Sequence, residues 1–122
     1  MHHNLEKLEE RIGYNFKNIK YLETAMSHSS YANEKKGAIK SNERLEFLGD
    51  AVLSIIVSDY IFLHCPHFPE GELTKLRASL VCEKALCGFA KSISLGDSIM
   101  LSKGEARSKG NERPSILADA FE

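Results

Sequence analysis

Apolar residues recur at helical spacing along most of the chain, while period-two alternation with β-branched residues is scarce, a pattern that predicts an all-α protein. The first helix is expected from Leu5 to Arg11, with Leu5, Leu8 and Ile12 on one face, Asn4 as N-cap and Gly13 as the stop. A second begins after Asn18, turns Ile19, Leu22, Ala25 and Met26 inward, and fades through "SHSSY" into a polar segment, residues 32–41. The third, from about Asn42 to His64, is the longest and most apolar, and "CPHFPEG" closes it with two prolines and a glycine. "GELTKLRASLVCEKALCGFAKSI" reads as two helices or one bent one, with Leu73, Leu76, Leu80 and Val81 as its first core positions. "LGDSIMLSKGEARSKGNERPS" is a long connection rich in Gly, Ser and charge, of the kind that often carries function. Pro114 is a favourable first-turn residue for a last helix bearing Ile116, Leu117, Ala120 and Phe121. That helix is short and reads as interrupted at Glu122.

Inside the third helix, "NERLEFLGDAVL" (residues 42–53) carries Glu43, Glu46 and Asp50 on one stripe. At about 100° per residue the three acids fall within roughly 60° of one another. Leu45, Leu48, Val52, Ile55 and Ile56 lie on nearly the opposite side and are the expected core face. Asp119 and Glu122 repeat the theme at i, i+3 spacing in the last helix. The bland reading is a solvated charged face. Against it, no lysine relieves the stripe, and the second acidic pair sits in an otherwise apolar helix. Carboxylates converging from two helices make a site for hard divalent cations. Glu46, Asp50, Asp119 and Glu122 would offset two Mg²⁺ ions, and such a pair supports in-line phosphoryl displacement.

Two other residues of the stretch stand out. Gly49 costs a helix about 1 kcal/mol relative to Ala; close helix packing and room for a ligand or partner backbone are both open. Phe47 projects beside the acids rather than with Leu45 and Val52, which suits either a subunit partner or a neighbouring helix.

Composition narrows the class. A chain of 122 residues with 43% hydrophobic and 27% charged residues is a single ordinary globular domain, residues 1–122. Its formal charge of −1 gives no global field for a polyanion, so any nucleic acid must be held by local patches. Cys65, Cys82 and Cys87 are odd in number and form no C-x-x-C pair, which suits a reducing cytoplasm; Cys82 and Cys87 are expected to be buried. No signal peptide opens the chain, no segment is expected to reach membrane-span length, and no membrane partner is expected. His2 and His3 are assigned no role. "HCPHF" lacks the remaining ligands of a structural zinc site and reads as a turn.

"NERLEFLGDAVL" resembles the signature of the ribonuclease III endonuclease domain, and "ERPSILADAFE" (residues 112–122) resembles that family's second acidic motif. "YLETAMSHSSY", "GELTKLRASLV" and "LGDSIMLSKGE" are similar to the family in order and spacing, so the resemblance covers nearly the whole chain. It implies an all-α endonuclease domain that forms a homodimer and cleaves double-stranded RNA in RNA processing, rRNA included, with Mg²⁺ or Mn²⁺. The products implied carry 5′-phosphate and 3′-hydroxyl ends with short 3′ overhangs. It also implies that Glu46, Asp50, Asp119 and Glu122 are the metal ligands and catalytic acids, that Glu43 is a secondary acid near the dimer valley, and that Phe47 is a knob entering a socket on the other subunit. Family domains continue the helix past the last acid and common bacterial forms add a double-stranded-RNA-binding domain. The chain is therefore expected to be a truncated endonuclease domain.

Lys103, Arg107, Lys109 and Arg113 outnumber Glu105 and Glu112 in the segment before the second motif, read as mobile, and are candidate RNA contacts; an ordinary solvated loop is the alternative. Two other functions remain open. One is an all-α nucleotide pyrophosphohydrolase, which also pairs helical carboxylates with Mg²⁺. The other is a non-catalytic ribonuclease III-like dimerisation or RNA-docking module.

Overall fold

The apolar periodicity is realised as helices throughout. The computed structural model describes residues 2–122, with side chains described from Asn4 onward, and the described residues form eight α-helices and no strand. They are α1 (His2–Ile12), α2 (Ile19–Ala25), α3 (Ser29–Glu34), α4 (Glu43–His64), α5 (Glu70–Val81), α6 (Glu83–Ser92), α7 (Lys103–Arg107) and α8 (Pro114–Phe121). Single 3₁₀ turns lie at Leu95–Ser98 and Gly110–Glu112. His2 and His3 begin α1, but their side chains lie outside the described residues.

The core is built where α1, α2, α6 and α8 meet. Leu5, Leu8, Leu22, Met26, Cys87, Ala90, Leu95, Leu117 and Ala120 form one buried cluster. Small buried residues, Ala90 on α6 and Ala118 and Ala120 on α8, let these helices pack closely, with the Phe89 and Phe121 rings meeting at 5.8 Å, so the short α8 is held by packing rather than length. Arg11 at the end of α1 ties this core to α6, donating from Nε to the Ile93 carbonyl at 2.6 Å.

Local signals decide the boundaries, and several differ from expectation. Asn18 caps α2 as expected, its Oδ1 accepting from the Lys20 N–H at 3.1 Å. Asn4, however, lies inside α1 rather than at its cap. "SHSSY" does not fade out; it starts α3, because His28 takes the capping position and its Nδ1 accepts from the Ser30 N–H at 3.1 Å. α5 and α6 are separate helices, broken where Cys82 adopts extended backbone with ψ 161°, and this corner leaves Cys82 exposed instead of buried. The long connection is not loose. α7 is capped by the Ser102 hydroxyl, and the Arg113 guanidinium meets the Glu105 carboxylate at 3.0 Å across it.

α4 departs furthest. Its expected core face is largely outside: Leu48, Val52, Ile55 and Ile56 are exposed, Leu45 is half-buried, and the helix has Ile61 as its buried residue. Ile12 is exposed too, and Leu73, Leu76, Leu80 and Val81 are only half-buried beneath α4. The physical reason is that α4 is apolar around most of its circumference, whereas α5 covers one side and α8 touches it only near Gly49. α4 is also long and apolar enough, by length and composition, to cross a membrane, contrary to the expectation that no segment reaches that length.

Gly49 is the contact point. A Cβ added there would overlap the backbone carbonyl of Glu122, so glycine is required by close approach of α4 and α8. Of the two readings of this glycine, packing is the one realised. Gly49→Ala is expected to destabilise the fold by about 1–3 kcal/mol from overpacking despite alanine's better helix propensity; thermal denaturation checks this, and an unchanged or raised Tm would contradict it.

Candidate active site

Because Gly49 lets α8 reach α4, the acids at positions 46 and 50 face those at 119 and 122. Carboxylate oxygens of Glu46, Asp119 and Glu122 all lie within 4.8 Å of one another. Asp50 joins through a side-chain hydrogen bond with Glu122. All four acids singled out in the sequence thus meet at one crossing of two helices. Glu43 does not enter the group: it is exposed, accepts a hydrogen bond from the Ser41 hydroxyl at 3.0 Å, and acts on the centre only through its charge on Glu46.

The electrostatics are those of mutually repelling anions. Partial burial pushes the Glu46 carboxyl above its ordinary pKa, reinforced by Asp119, Asp50 and Glu43. Asp119 is raised by desolvation and by Glu83, against a lowering influence of His28. Glu122 is pushed up to about 7, by burial first, then by its hydrogen bond with Asp50 and by the charges of Asp50, Glu46 and Asp119. The Glu122 carboxyl therefore keeps its proton to a higher pH than an ordinary carboxylate.

The donor set fits a hard divalent cation. It is all oxygen, and the three carboxylates lie close enough together to share one ion. His64, Cys65 and His67 form no comparable cluster among the described residues.

Beside the acids opens an apolar cavity of about 410 Å³, lined among others by Leu8, Phe16, Leu45, Leu48, Val52 and Phe121. Phe47 lies outside it on the surface, 80% exposed.

Of the four basic candidates, Arg113 is engaged with Glu105, while Lys103, Arg107 and Lys109 are exposed. Glu83 and His28 act on Asp119 without having been anticipated. Their approach comes from the packing of α6 on α8 and of the α2–α3 junction near α4, which no local spacing encodes.

The family model described as Ribonuclease-III-like matches residues 18–122. The chain belongs to the ribonuclease III family. It is 49% identical over 118 residues to ribonuclease 3 of Listeria monocytogenes and 51% identical over 118 residues to that of Geobacillus kaustophilus, covering 96% of this chain in both cases. It spans about half the length of these curated relatives, 52% and 48% respectively. A solved structure of the nuclease domain of ribonuclease III from Campylobacter jejuni, described as flexible in the region involved in dimer formation, superposes with a TM-score of 0.88. It is 46% identical, and the match covers 96% of this chain and 78% of that one. The all-α fold is therefore the nuclease-domain fold of the ribonuclease III family.

The raised Glu122 pKa sets a direction for stability. A carboxyl whose pKa is higher folded than unfolded costs nothing below the unfolded value near 4.5, and destabilises progressively as pH rises towards about 7. Glu122→Gln, which resembles the protonated form and still donates to Asp50, is expected to raise the Tm at pH 8 and leave it nearly unchanged at pH 4. Equal shifts at both pH values would contradict the mutual repulsion.

Proposed function

We propose that the chain is the endonuclease domain of a ribonuclease III, a divalent-metal-dependent enzyme hydrolysing double-stranded RNA to 5′-phosphate and 3′-hydroxyl ends with short 3′ overhangs. The observation that carries this reading is the convergence of Glu46, Asp50, Asp119 and Glu122 on one point, in a chain of this family. In this reading Glu46, Asp50, Asp119 and Glu122 would together hold Mg²⁺, or Mn²⁺ in its place. When bound, the cation supplies Lewis-acid polarisation of the phosphoryl group and eases deprotonation of the attacking water. The acids themselves would fix that centre on the rigid crossing of α4 and α8. Glu43 contributes negative potential at the margin. Lys103, Arg107 and Lys109 are suited to phosphate contacts along A-form RNA, which is read by shape, phosphates and 2′-hydroxyls. Arg113 orders the segment through Glu105 and is the weaker RNA candidate.

The partner that suits α4 is a second copy of the chain. Its exposed apolar face and the cavity beside it are self-complementary in kind: Phe47 of one copy has an apolar socket to enter on the other, and a two-fold interface uses both twice. A lipid surface is the poorer match, since Glu46 and Asp50 lie on the same helix and an acid at mid-bilayer costs about 2.5–3.5 kcal/mol. Two centres related by such an axis cut both strands of one duplex. Three free cysteines suit a reducing cytoplasm, where rRNA precursors are an expected substrate.

Glu122→Gln is expected to lower cleavage of a model RNA duplex at least about 100-fold while duplex binding persists; equal rates would overturn the assignment. Hydrolysis of free nucleoside triphosphates without RNA cleavage would favour the pyrophosphohydrolase reading instead. Phe47→Asp is expected to convert a dimer into a monomer in sedimentation analysis, and an unaltered sedimentation coefficient would contradict the proposed interface.

A further inference from the structure

The short helices α3 and α7 are distant in the chain and joined in space. At the start of α7 the Ser102 N–H donates to the Ser30 hydroxyl at 3.0 Å, and the Lys103 N–H donates to Glu34 Oε2 at 3.0 Å. Just before α3, the His28 N–H donates to the Met100 carbonyl at 3.1 Å, and the Met100 N–H to the Met26 carbonyl at 2.7 Å. The two helices are thus held as one piece. That piece is also tied to the acidic centre, because the segment leaving α3 runs directly into α4. There Asn42 donates from its N–H to the Ser27 carbonyl at 2.8 Å, and its own carbonyl accepts from the Glu46 N–H at 2.8 Å.

The exposed charge of the piece is mainly positive. Lys35, Lys36 and Lys40 are exposed, and the one acid in residues 33–41, Glu34, already accepts from the Lys103 N–H. Lys103, Arg107 and Lys109 are exposed on α7 and its exit. Among the described residues none of these six cations is in an ion pair, whereas Arg113 is taken by Glu105. The Lys35 ammonium lies 5.3 Å from the centroid of the Tyr31 ring, which directs it without neutralising it. Both helices also end alike. Lys36 follows the last turn of α3 with φ 51° and donates its N–H to the Asn33 carbonyl at 3.1 Å; Lys109 follows α7 with φ 57° and donates to the Ala106 carbonyl at 3.1 Å. Glycine fits this left-handed position without steric cost. Lysine held there twice, against its backbone preference, points to a use for the side chain. The chain as a whole has a formal charge of −1, and four carboxylates repel any approaching phosphate, so unneutralised cations beside the centre supply the attraction a polyanion needs.

We propose that α3, its exit through residues 35–40 and α7 form one composite RNA-gripping surface, in which Lys35, Lys36 and Lys40 contact duplex phosphates together with Lys103, Arg107 and Lys109. The proposal rests on the double-stranded-RNA reading above and extends it to a segment that belongs to neither acidic motif. Because the surface is strapped to the turn of α4 that carries Glu46, phosphates held on it have a fixed register relative to the acids. Phosphate contacts of this kind position a duplex without reading its sequence. Each lysine that contacts a phosphate contributes about one unit to the salt dependence of binding.

The test is binding of a blunt RNA duplex to the 122-residue chain in EDTA across a series of salt concentrations, alongside thermal melting. The triple variant Lys35→Gln, Lys36→Gln, Lys40→Gln is expected to bind about 10-fold or more weaker at low salt, with the slope of log K against log salt reduced by about 2–3. A control triple, Lys17→Gln, Lys75→Gln, Lys91→Gln, removes the same charge from exposed positions on the α1–α2 turn, α5 and α6, and is expected to change the slope by less than about 1. Lys36→Gly alone separates structure from contact: it is expected to melt at or above the Tm of the parent, since glycine suits the backbone there, and still to lose about one unit of slope. Parent-like affinity and slope in the folded α3 triple overturn the proposal and leave the duplex reading standing, as do equal losses in both triples. A parent chain that binds no RNA duplex overturns the duplex reading and the proposal together.

Discussion

The crossing of α4 and α8 at Gly49 is the constraint from which the remainder follows. Two helices approach until backbone meets backbone, and on each the residues next to the contact are acidic. Folding thereby concentrates four carboxylates in a partly dehydrated space, where burial and neighbouring charge raise the cost of ionising Glu46, Asp119 and Glu122. Such an arrangement is unfavourable on its own. A bound divalent cation, as proposed above, would offset that repulsion. The tight packing of α8 on α6, and the Ser27 and Asn42 links that seat α4, keep the acids from relaxing apart.

The same helix that supplies half of the acids leaves most of its apolar surface uncovered. Phe47, Ile55, Phe62 and Leu63 are each well over half exposed, along with the stacked pair of Tyr60 and His64. A patch of that kind marks an interaction surface. Pairing with a second copy, as proposed, would join assembly to chemistry, since Phe47 directly follows Glu46 on the helix that also presents Asp50. The distance and orientation between two active centres would then be set by the rigid helix itself.

Much of this was legible in the chain. The 3.6-residue periodicity gave all-α character, Pro114 opened α8, and Glu46, Asp50, Asp119 and Glu122 were identifiable because acids without neighbouring lysines stood on otherwise apolar helices. What periodicity could not reveal was which apolar face meets which neighbour. Leu48, Val52, Ile55 and Ile56 carry a perfectly good core pattern, and the difference between an internal core and a subunit core is absent from a single helix's spacing. Histidine as an N-cap escaped notice at His28 because the usual capping residues, serines, follow it immediately. Glu83 and His28 beside Asp119, like the capture of Arg113 by Glu105, depend on contacts between segments distant in the sequence or on loop geometry that composition does not specify.

The central claim is that the acids of α4 and α8 form one cation site, and diffraction from crystals grown with Mn²⁺ tests it most directly. Anomalous scattering should place a peak among the carboxylate oxygens of Glu46, Asp119 and Glu122, with the Asp50–Glu122 hydrogen bond opened or rearranged around it. Crystals in which Mn²⁺ at millimolar concentration leaves that position empty, with the Asp50–Glu122 hydrogen bond unchanged, would contradict it.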